Sequence, residues 1–308
     1  MFHVKHPRAP SGRLIPVEPA WYSRSSWGQT AGWGSRMSMV LAIVNQKGGV
    51  GKTTTAVNLA ASLAASEKKV LVVDLDPQGN ASSGLGVPRG ESDRSTVYHA
   101  LLGEADPRAA IRATALPHLS VLPSDPDLVG AELELVQVEG REGRLRAALA
   151  PLRAEFDYLL IDCPPSLGLL TINALVAADR VLVPLQCEYY ALEGLGSLLR
   201  TIELVRSNMN RDLLLEGVVL TMFDARNNLA RQVMKDVQGN MPGQVFETVI
   251  PRNVRLSEAP SHGRPVLLYD IESKGAQSYL ALAVELCARH KELADKPARN
   301  AERERARR

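Results

Sequence analysis

Small and cationic residues that could bind phosphate are concentrated in one loop, which reads QKGGVGKTT over residues 46–54. A glycine-rich loop lets backbone N–H groups approach a phosphate, and the dipole of a following helix favours the same negative charge. Lys52 would then reach the β- and γ-phosphates of a nucleoside triphosphate, and the Thr53 hydroxyl would bind Mg²⁺. The standard pattern G-x-x-x-x-G-K-[ST] is missed once, because Gln46 replaces its first glycine, and an extra lysine, Lys47, precedes the glycines.

Carboxylates that could serve this loop follow two apolar runs. Asp74 and Asp76 end the run VLVVDLD, and Asp162 follows YLLI. Alternate residues of a strand point the same way, so Asp74 and Asp76 can face one ligand. Capping of a helix by Asp76 is the competing interpretation. Cys163, beside Asp162, is interpreted as an ordinary buried residue.

The elements that must position these residues are predicted from apolar runs that alternate with helical stretches. The runs are VLAIVN, VLVVDLD, YLLID, RVLVPLQ and LLLEGVVLTMF. Runs of this kind indicate strands buried on both faces, so we predict an α/β fold with a doubly wound, mostly parallel sheet flanked by helices. Ligands in such sheets bind at the carboxyl ends of the strands. Residues 88–154 show one short strand, within ATALPHLSVLPS.

Charge and cysteine content exclude several classes of protein. The net charge is +2, and because residues 1–38 and 289–308 each carry +4, residues 39–288 carry −6. Any binding of a polyanion by this central part must therefore use a local basic patch. The three cysteines lack a CxxC spacing, which argues against a zinc site, a disulfide framework or an iron–sulfur protein. No apolar run approaches the ~20 residues that span a bilayer, so we expect a cytoplasmic protein.

The motifs KGGVGKTTT, VNLAASLA, VLVVDLDPQGN and IDCPPS resemble, in this order, those of the ParA/MinD ATPases, and most closely the ParA (Soj) chromosome-partitioning branch. The resemblance covers residues 39–290. It implies a P-loop NTPase with a deviant Walker A motif that hydrolyses ATP with Mg²⁺ and forms an ATP-dependent homodimer. Basal hydrolysis is expected to be weak and to be stimulated by DNA and a partner protein.

Residue roles follow from the same resemblance. Lys47 would reach the phosphates of the partner subunit's ATP, Asp76 would orient the attacking water, and Lys52 would contact the phosphates. The Mg²⁺ site would comprise Thr53, Asp74 and Asp162. The predicted ATP-binding residues are Lys47, Gly48, Gly49, Val50, Gly51, Lys52, Thr53 and Thr54, with Pro251 and Asn253 at the adenine. Plain loop residues are the alternative for the last two.

Arg226, Arg252 and Arg255 are placed by the resemblance on a DNA-facing side of the dimer, where contacts to phosphates would give binding without sequence preference. Solvated arginines without a ligand are the alternative. The resemblance also implies a ParB/Spo0J-type partner, location at the nucleoid and a role in chromosome segregation. A positioner of plasmid or protein cargo would share this chemistry. A MinD-type membrane-cycling regulator is disfavoured, because residues 291–308 lack the apolar face of a membrane-binding helix, and we expect no stable membrane association.

Three regions are therefore predicted. Residues 1–38 are expected to be a disordered extension, which translation from Met37 or Met39 would leave out. Its first six residues can be encoded by DNA that resembles the palindromic parS element. Residues 39–290 form the ATPase domain. Residues 291–308 form a charged C-terminal tail, and the last helix is predicted to end near His290.

Overall fold

The computed structural model describes residues 38–88 and 95–305, with side chains as far as residue 291. The predicted extension falls almost wholly on residues 1–37, which lie outside the described residues. Seven strands are present in this part of the chain: β1 (Met39–Ile43), β2 (Val70–Asp74), β3 (Arg112–Ala113), β4 (Leu119–Leu122), β5 (Tyr158–Asp162), β6 (Arg180–Gln186) and β7 (Leu214–Thr221).

The helices that connect the strands are α1 (Lys52–Ala65), α2 (Asn80–Gly84), α3 (Val97–Leu102), α4 (Pro107–Ala110), α5 (Leu128–Glu134), α6 (Arg144–Leu149), α7 (Leu169–Ala177), α8 (Ala191–Asn208), α9 (Asn228–Asn240), α10 (Val254–Glu258), α11 (Val266–Tyr269) and α12 (Lys274–Arg305). Short 3₁₀ helices occupy Leu135–Gln137, Arg141–Gly143, Ala150–Leu152 and Ala259–His262. None of the described helices has the length and apolarity needed to cross a membrane.

The sheet has the strand order β3-β4-β2-β5-β1-β6-β7, and every pairing is parallel except that of β3 with β4. Strands β1, β2 and β5 are buried along their whole length, as their uninterrupted apolar runs predict. The predicted doubly wound α/β fold is thus confirmed. The sequence gives no sign of β3, which has only two residues and pairs at the sheet edge.

Apolar side chains pack on both faces of the sheet. On one face, α1 and α12 contribute Leu59, Leu63 and Leu282, all fully buried. On the other face, Leu175 of α7 and Leu198 of α8 are also fully buried. Burial of a side chain of this size stabilises the fold by about 1.5–3 kcal/mol. These layers hold the strands rigidly, so the loops at their carboxyl ends have fixed positions.

The last helix differs from the prediction. Helix α12 continues to Arg305, whereas the sequence predicts an end near His290. The continuation is rich in Ala, Glu, Lys and Arg, which have high helix propensity even without an apolar face. Loss of the amphipathic pattern therefore does not mark the end of the helix.

Candidate functional site

The predicted phosphate loop connects β1 to α1 and is open at its centre. Gly49 and Gly51 have φ values of 74° and 90°, which a residue with a side chain adopts only under strain. No described atom lies within 4 Å of where a Cβ of Gly48 or Gly49 would stand. The first turn of α1 has no side-chain cap among the described residues, so its N–H groups remain available to an anion.

Lys52 lies at the first position of α1 with its ammonium group inside the loop. The side chain is largely buried, and Nζ donates to the carbonyl oxygen of Lys47 at 3.2 Å. Burial lowers the pKa of Lys52, while the neighbouring Asp162 acts in the opposite direction. The loop is anchored from the other side by the Thr221 hydroxyl, which donates to the Val50 carbonyl at 2.8 Å.

Two of the predicted carboxylates lie side by side, because β2 and β5 pair with Asp74 opposite Asp162. Asp74 Oδ2 accepts bonds from the backbone N–H and the hydroxyl of Ser82, both at 2.7 Å. Burial raises the pKa of Asp74 to about 6 despite these bonds. Asp76, at the beginning of the following turn, accepts from the backbone N–H of Gln78 at 2.9 Å. Asp76 therefore stabilises the turn that follows β2. Capping of a helix by Asp76 is not supported in the described part of the chain, where Gly79 is the N-cap of α2 and no side chain caps it.

Asp162 is fully buried, and within the described part of the chain neither of its carboxylate oxygens has a hydrogen-bond partner. Its pKa is raised well above the usual value by burial and by Asp74, and the nearby Thr53 hydroxyl opposes this rise. A buried carboxylate normally has partners, because removal of its hydration costs several kcal/mol. Oxygen atoms of carboxylates and hydroxyls are the ligands that Mg²⁺ prefers. The residues present therefore fit a Mg²⁺ site.

Lys47 lies beside the loop with about half of its side chain exposed. Its ammonium group forms an ion pair with Glu188, which lies between β6 and α8. The backbone N–H of Lys47 donates to Asn45 Oδ1 at 3.0 Å, which orients this part of the loop. In a single subunit the extra lysine is thus held at the surface by a carboxylate of its own chain. No motif near Lys47 indicates Glu188, which is 141 residues away along the chain.

The residues predicted at the adenine lie in a segment that returns to the end of β7. Pro251 forms a β-bridge with Phe223. The preceding residue, Met222, contacts the phosphate loop, because its side chain lies 3.8 Å from where a Cβ of Gly51 would stand. The segment is therefore brought near the phosphate loop. Asn253 Oδ1 accepts from the backbone N–H of Arg255 at 2.9 Å and caps α10. This cap is a structural role, and a contact of Asn253 or Pro251 with adenine stays a prediction.

The predicted DNA-binding arginines share one region of the surface. Arg252 follows Pro251, and its backbone N–H donates to the carbonyl of Phe223 at 3.1 Å, so it lies beside the loop that carries Arg226. Arg255 is in α10, the next element along the chain. Arg226 and Arg255 both form ion pairs with carboxylates that the sequence analysis did not single out.

A phosphate loop at the carboxyl edge of a parallel sheet, with a buried lysine, a buried aspartate and an extra surface lysine, defines a P-loop ATPase of the deviant Walker A type. A family model described as an AAA domain (AAA_31) matches residues 38–215. The chain is 59% identical over 258 residues to the chromosome partitioning protein ParA of Myxococcus xanthus, covering 84% of this chain and 90% of the relative. The chain belongs to the ParA/Soj family of chromosome-partitioning ATPases.

Two further comparisons agree with this assignment. The sporulation initiation inhibitor protein Soj of Bacillus subtilis is 56% identical over 252 residues, which cover 82% of this chain and 99% of Soj. Among solved structures, cobyrinic acid a,c-diamide synthase from Mycobacterium smegmatis with bound ADP and magnesium superimposes with a TM-score of 0.73 at 42% identity. The superposition covers 83% of this chain and 96% of the synthase.

Proposed function

We propose that this ATPase segregates chromosomes by binding duplex DNA non-specifically as an ATP-bound sandwich dimer. A ParB/Spo0J-type partner then stimulates hydrolysis and release from DNA. The ATPase chemistry uses ATP and Mg²⁺. The observation that supports its ATPase part is the buried carboxylate of Asp162, without a hydrogen-bond partner among the described residues, beside a glycine-rich loop and a buried lysine. The partitioning part is supported by the similarity to ParA and Soj proteins.

In this proposal the phosphates of ATP lie in the cradle of residues 47–54. Backbone N–H groups of the loop and of the first turn of α1 bind phosphate oxygens, and Lys52 neutralises part of their charge. Thr53 and Asp162 hold Mg²⁺, with Asp74 supporting the site. The metal ion, when bound, stabilises negative charge that develops on the phosphoryl group.

Asp76 orients the attacking water in this scheme. It lies directly after β2 and is largely buried, with Oδ1 committed to the backbone N–H of Gln78. One carboxylate oxygen of Asp76 is thereby fixed by its own loop, and in this scheme the second accepts the hydrogen bond of the water. A carboxylate held in this way can accept a hydrogen bond from water without moving.

Lys47 couples hydrolysis of ATP to dimerisation. In a single subunit its ammonium group is paired with Glu188 at the surface. We infer that in the dimer it leaves this partner and contacts the phosphates of the other subunit's ATP. A cation delivered from another chain stabilises the transferred phosphoryl group as an arginine finger does.

DNA binding is assigned to Arg226, Arg252 and Arg255. Each subunit offers few cations, so pairing two such surfaces in the dimer roughly doubles the contacts to phosphates. The rest of the domain carries net negative charge, and binding must therefore depend on this surface. The protein would accordingly be cytoplasmic and located at the nucleoid when it is bound to ATP.

The experiment that tests this function measures ATP hydrolysis by the full chain alone, with duplex DNA, with a ParB-type partner, and with both. We expect weak hydrolysis alone and strong synergy when both are present. Omission of Mg²⁺ should abolish all hydrolysis. Hydrolysis that neither DNA nor the partner increases would contradict the partitioning role but not the ATPase assignment.

A further inference from the structure

The arginine predicted to contact DNA after β7 is already bound to a carboxylate. Arg226 Nε and Nη2 donate to Oδ1 and Oδ2 of Asp224 at 3.0 and 2.9 Å. The arginine side chain is 91% exposed and that of Asp224 only 33%, so the pair lies at the surface with the guanidinium outermost. A phosphate that approaches Arg226 therefore also approaches a negative charge.

The arginine of α10 has two such partners. Arg255 Nη1 lies 2.8 Å from Glu258 Oε2, and its Nε lies 3.2 Å from Asp270 Oδ2. The Tyr269 hydroxyl donates to Glu258 Oε2 at 3.3 Å, which keeps this carboxylate in place. The positive charge of Arg255 is thus offset by two acidic side chains.

These pairs form one surface, which we call the arginine face: Arg226, Arg252 and Arg255 with Asp224, Glu258 and Asp270. The β-bridge between Phe223 and Pro251 joins its two segments. Interaction with Arg226, and to a smaller extent with Arg252, lowers the pKa of Asp224 to about 2. The carboxylate therefore stays ionised at any cellular pH. The face contains three arginines and three carboxylates, so the formal charges of these six residues sum to zero in one subunit.

We propose that Asp224, Glu258 and Asp270 act as built-in competitors of DNA phosphate, which keep the DNA affinity of a single subunit low. Retention on duplex DNA then requires the two arginine faces of the ATP dimer. This inference rests on the proposed DNA binding. Affinity for DNA depends steeply on the number of phosphates neutralised, so a small loss per face becomes large when two faces are needed.

A purely structural role does not explain the charge of Asp224. Its Oδ1 also accepts from the backbone N–H of Arg226 at 3.0 Å, which forms a turn. An asparagine can accept the same bond, so the turn does not need a carboxylate. Exposed ion pairs also add little to the stability of a fold. What the carboxylate adds over an amide is a negative charge on the arginine face.

The test uses Asp224→Asn, which keeps the turn and removes the charge. We expect its dissociation constant for a labelled duplex of random sequence to fall about twofold to fivefold per subunit, the range that corresponds to an exposed ion pair. The slope of log K against log salt should steepen by about 0.9 per subunit, since one more phosphate is neutralised. Fluorescence anisotropy over a range of salt concentrations, with ATPγS and without nucleotide, measures both quantities.

A matched control removes an exposed ion pair that lies near the beginning of a strand, whereas the arginine face follows the end of β7. Glu155 precedes β5 and pairs with Arg108 at 2.6 Å, with exposure similar on both sides of the pair. Glu155→Gln should leave DNA binding unchanged. Glu258→Gln is the second variant on the arginine face and should act in the same direction as Asp224→Asn. Adding Arg226→Ala to Asp224→Asn should remove the gain.

The outcomes separate the two proposals. Absence of ATP-dependent DNA retention by the unmodified protein would overturn the proposed DNA binding. Retention by the unmodified protein, with no gain in either Asp224→Asn or Glu258→Gln, would overturn the competitor role alone. An equal gain in Glu155→Gln would also overturn it, because the effect would then reflect overall charge. A gain confined to the arginine face supports the inference.

Discussion

Replacement of Asp162 by asparagine should stabilise the nucleotide-free, magnesium-free protein while it abolishes binding of Mg²⁺ and ATP together. Asp162 is fully buried and both of its oxygens lack hydrogen-bond partners among the described residues. It lies opposite Asp74 in the sheet, and Asp76 and the cation of Lys52 are nearby. An amide in place of the carboxylate removes this repulsion and can donate to the remaining acceptors.

The raised pKa of the neighbouring Asp74 shows that this site disfavours a negative charge. Burial raises the pKa of Asp74 from 3.8 to about 6, even though this group accepts two bonds from Ser82. A shift of two units corresponds to about 3 kcal/mol. Asp162 is equally buried and its pKa is raised as well, so Asp162→Asn should raise the free energy of unfolding. Relief of one unsatisfied buried acceptor, at the upper end of the usual range, corresponds to about 2–3 kcal/mol. For a domain of this size the melting temperature should rise by roughly 5–10 °C.

The pH dependence has a defined sign. Because the folded-state pKa of Asp162 is raised, the group favours the folded state below the unfolded pKa, near 4, and this advantage is lost as pH rises through the folded-state pKa. Asparagine does not titrate. The stability difference between variant and unmodified protein should therefore be largest at neutral and alkaline pH and should shrink as the pH falls towards 4.

Thermal denaturation with EDTA, and with Mg²⁺ and a non-hydrolysable ATP analogue, measures both effects. Asp179→Asn is the control, because Asp179 is well paired: its Oδ2 accepts from the Val40 N–H at 2.8 Å and from Arg153 at 2.7 Å. This control should lose stability. An Asp162→Asn protein that is less stable than the unmodified one in EDTA, or is stabilised equally by Mg²⁺ and the analogue, would refute the reasoning.

Three further predictions address the proposed cycle. Lys47→Ala should abolish ATP-dependent dimerisation in analytical ultracentrifugation, because no cation would cross to the partner; a stable dimer with normal turnover would rule out this role. Asp76→Ala should bind ATP and remain on DNA with hydrolysis reduced at least about a hundredfold, as expected for loss of a positioned water; normal hydrolysis would exclude Asp76 from the mechanism. Arg255→Glu should lower DNA affinity at least about tenfold at constant ATP affinity, since each subunit loses a phosphate contact and gains a repulsion; unchanged DNA binding would remove Arg255 from the arginine face.

The sheet and the phosphate loop could be predicted because their signals are local. The strands are apolar runs without alternation, and the GKT sequence must follow a strand and begin a helix to function. Asp74 and Asp162 were found in the same way, each at the end of such a run. Their positions opposite one another then follow from the pairing of β2 with β5.

What the sequence did not reveal depends on contacts between distant segments. Glu188 reaches Lys47 across 141 residues, and nothing in either segment indicates the other. The bonds from Ser82 to Asp74 require α2 to fold back on β2. The pairing of Arg226 with Asp224 is local and could have been noticed. The spacing rule for ion pairs, three or four residues apart, applies to helices. Asp224 and Arg226 are two residues apart in a loop, so that rule does not predict their contact.

The buried bond from Thr221 to the Val50 carbonyl has a mechanical consequence. Thr221 is the last residue of β7, and Asp224 and Arg226 follow it within five residues, whereas Val50 belongs to the phosphate loop. The phosphate loop and the arginine face are therefore connected by one hydrogen bond and a few residues of chain. A displacement of Val50 would therefore act on the strand end beside the arginine face through one hydrogen bond and five residues of chain.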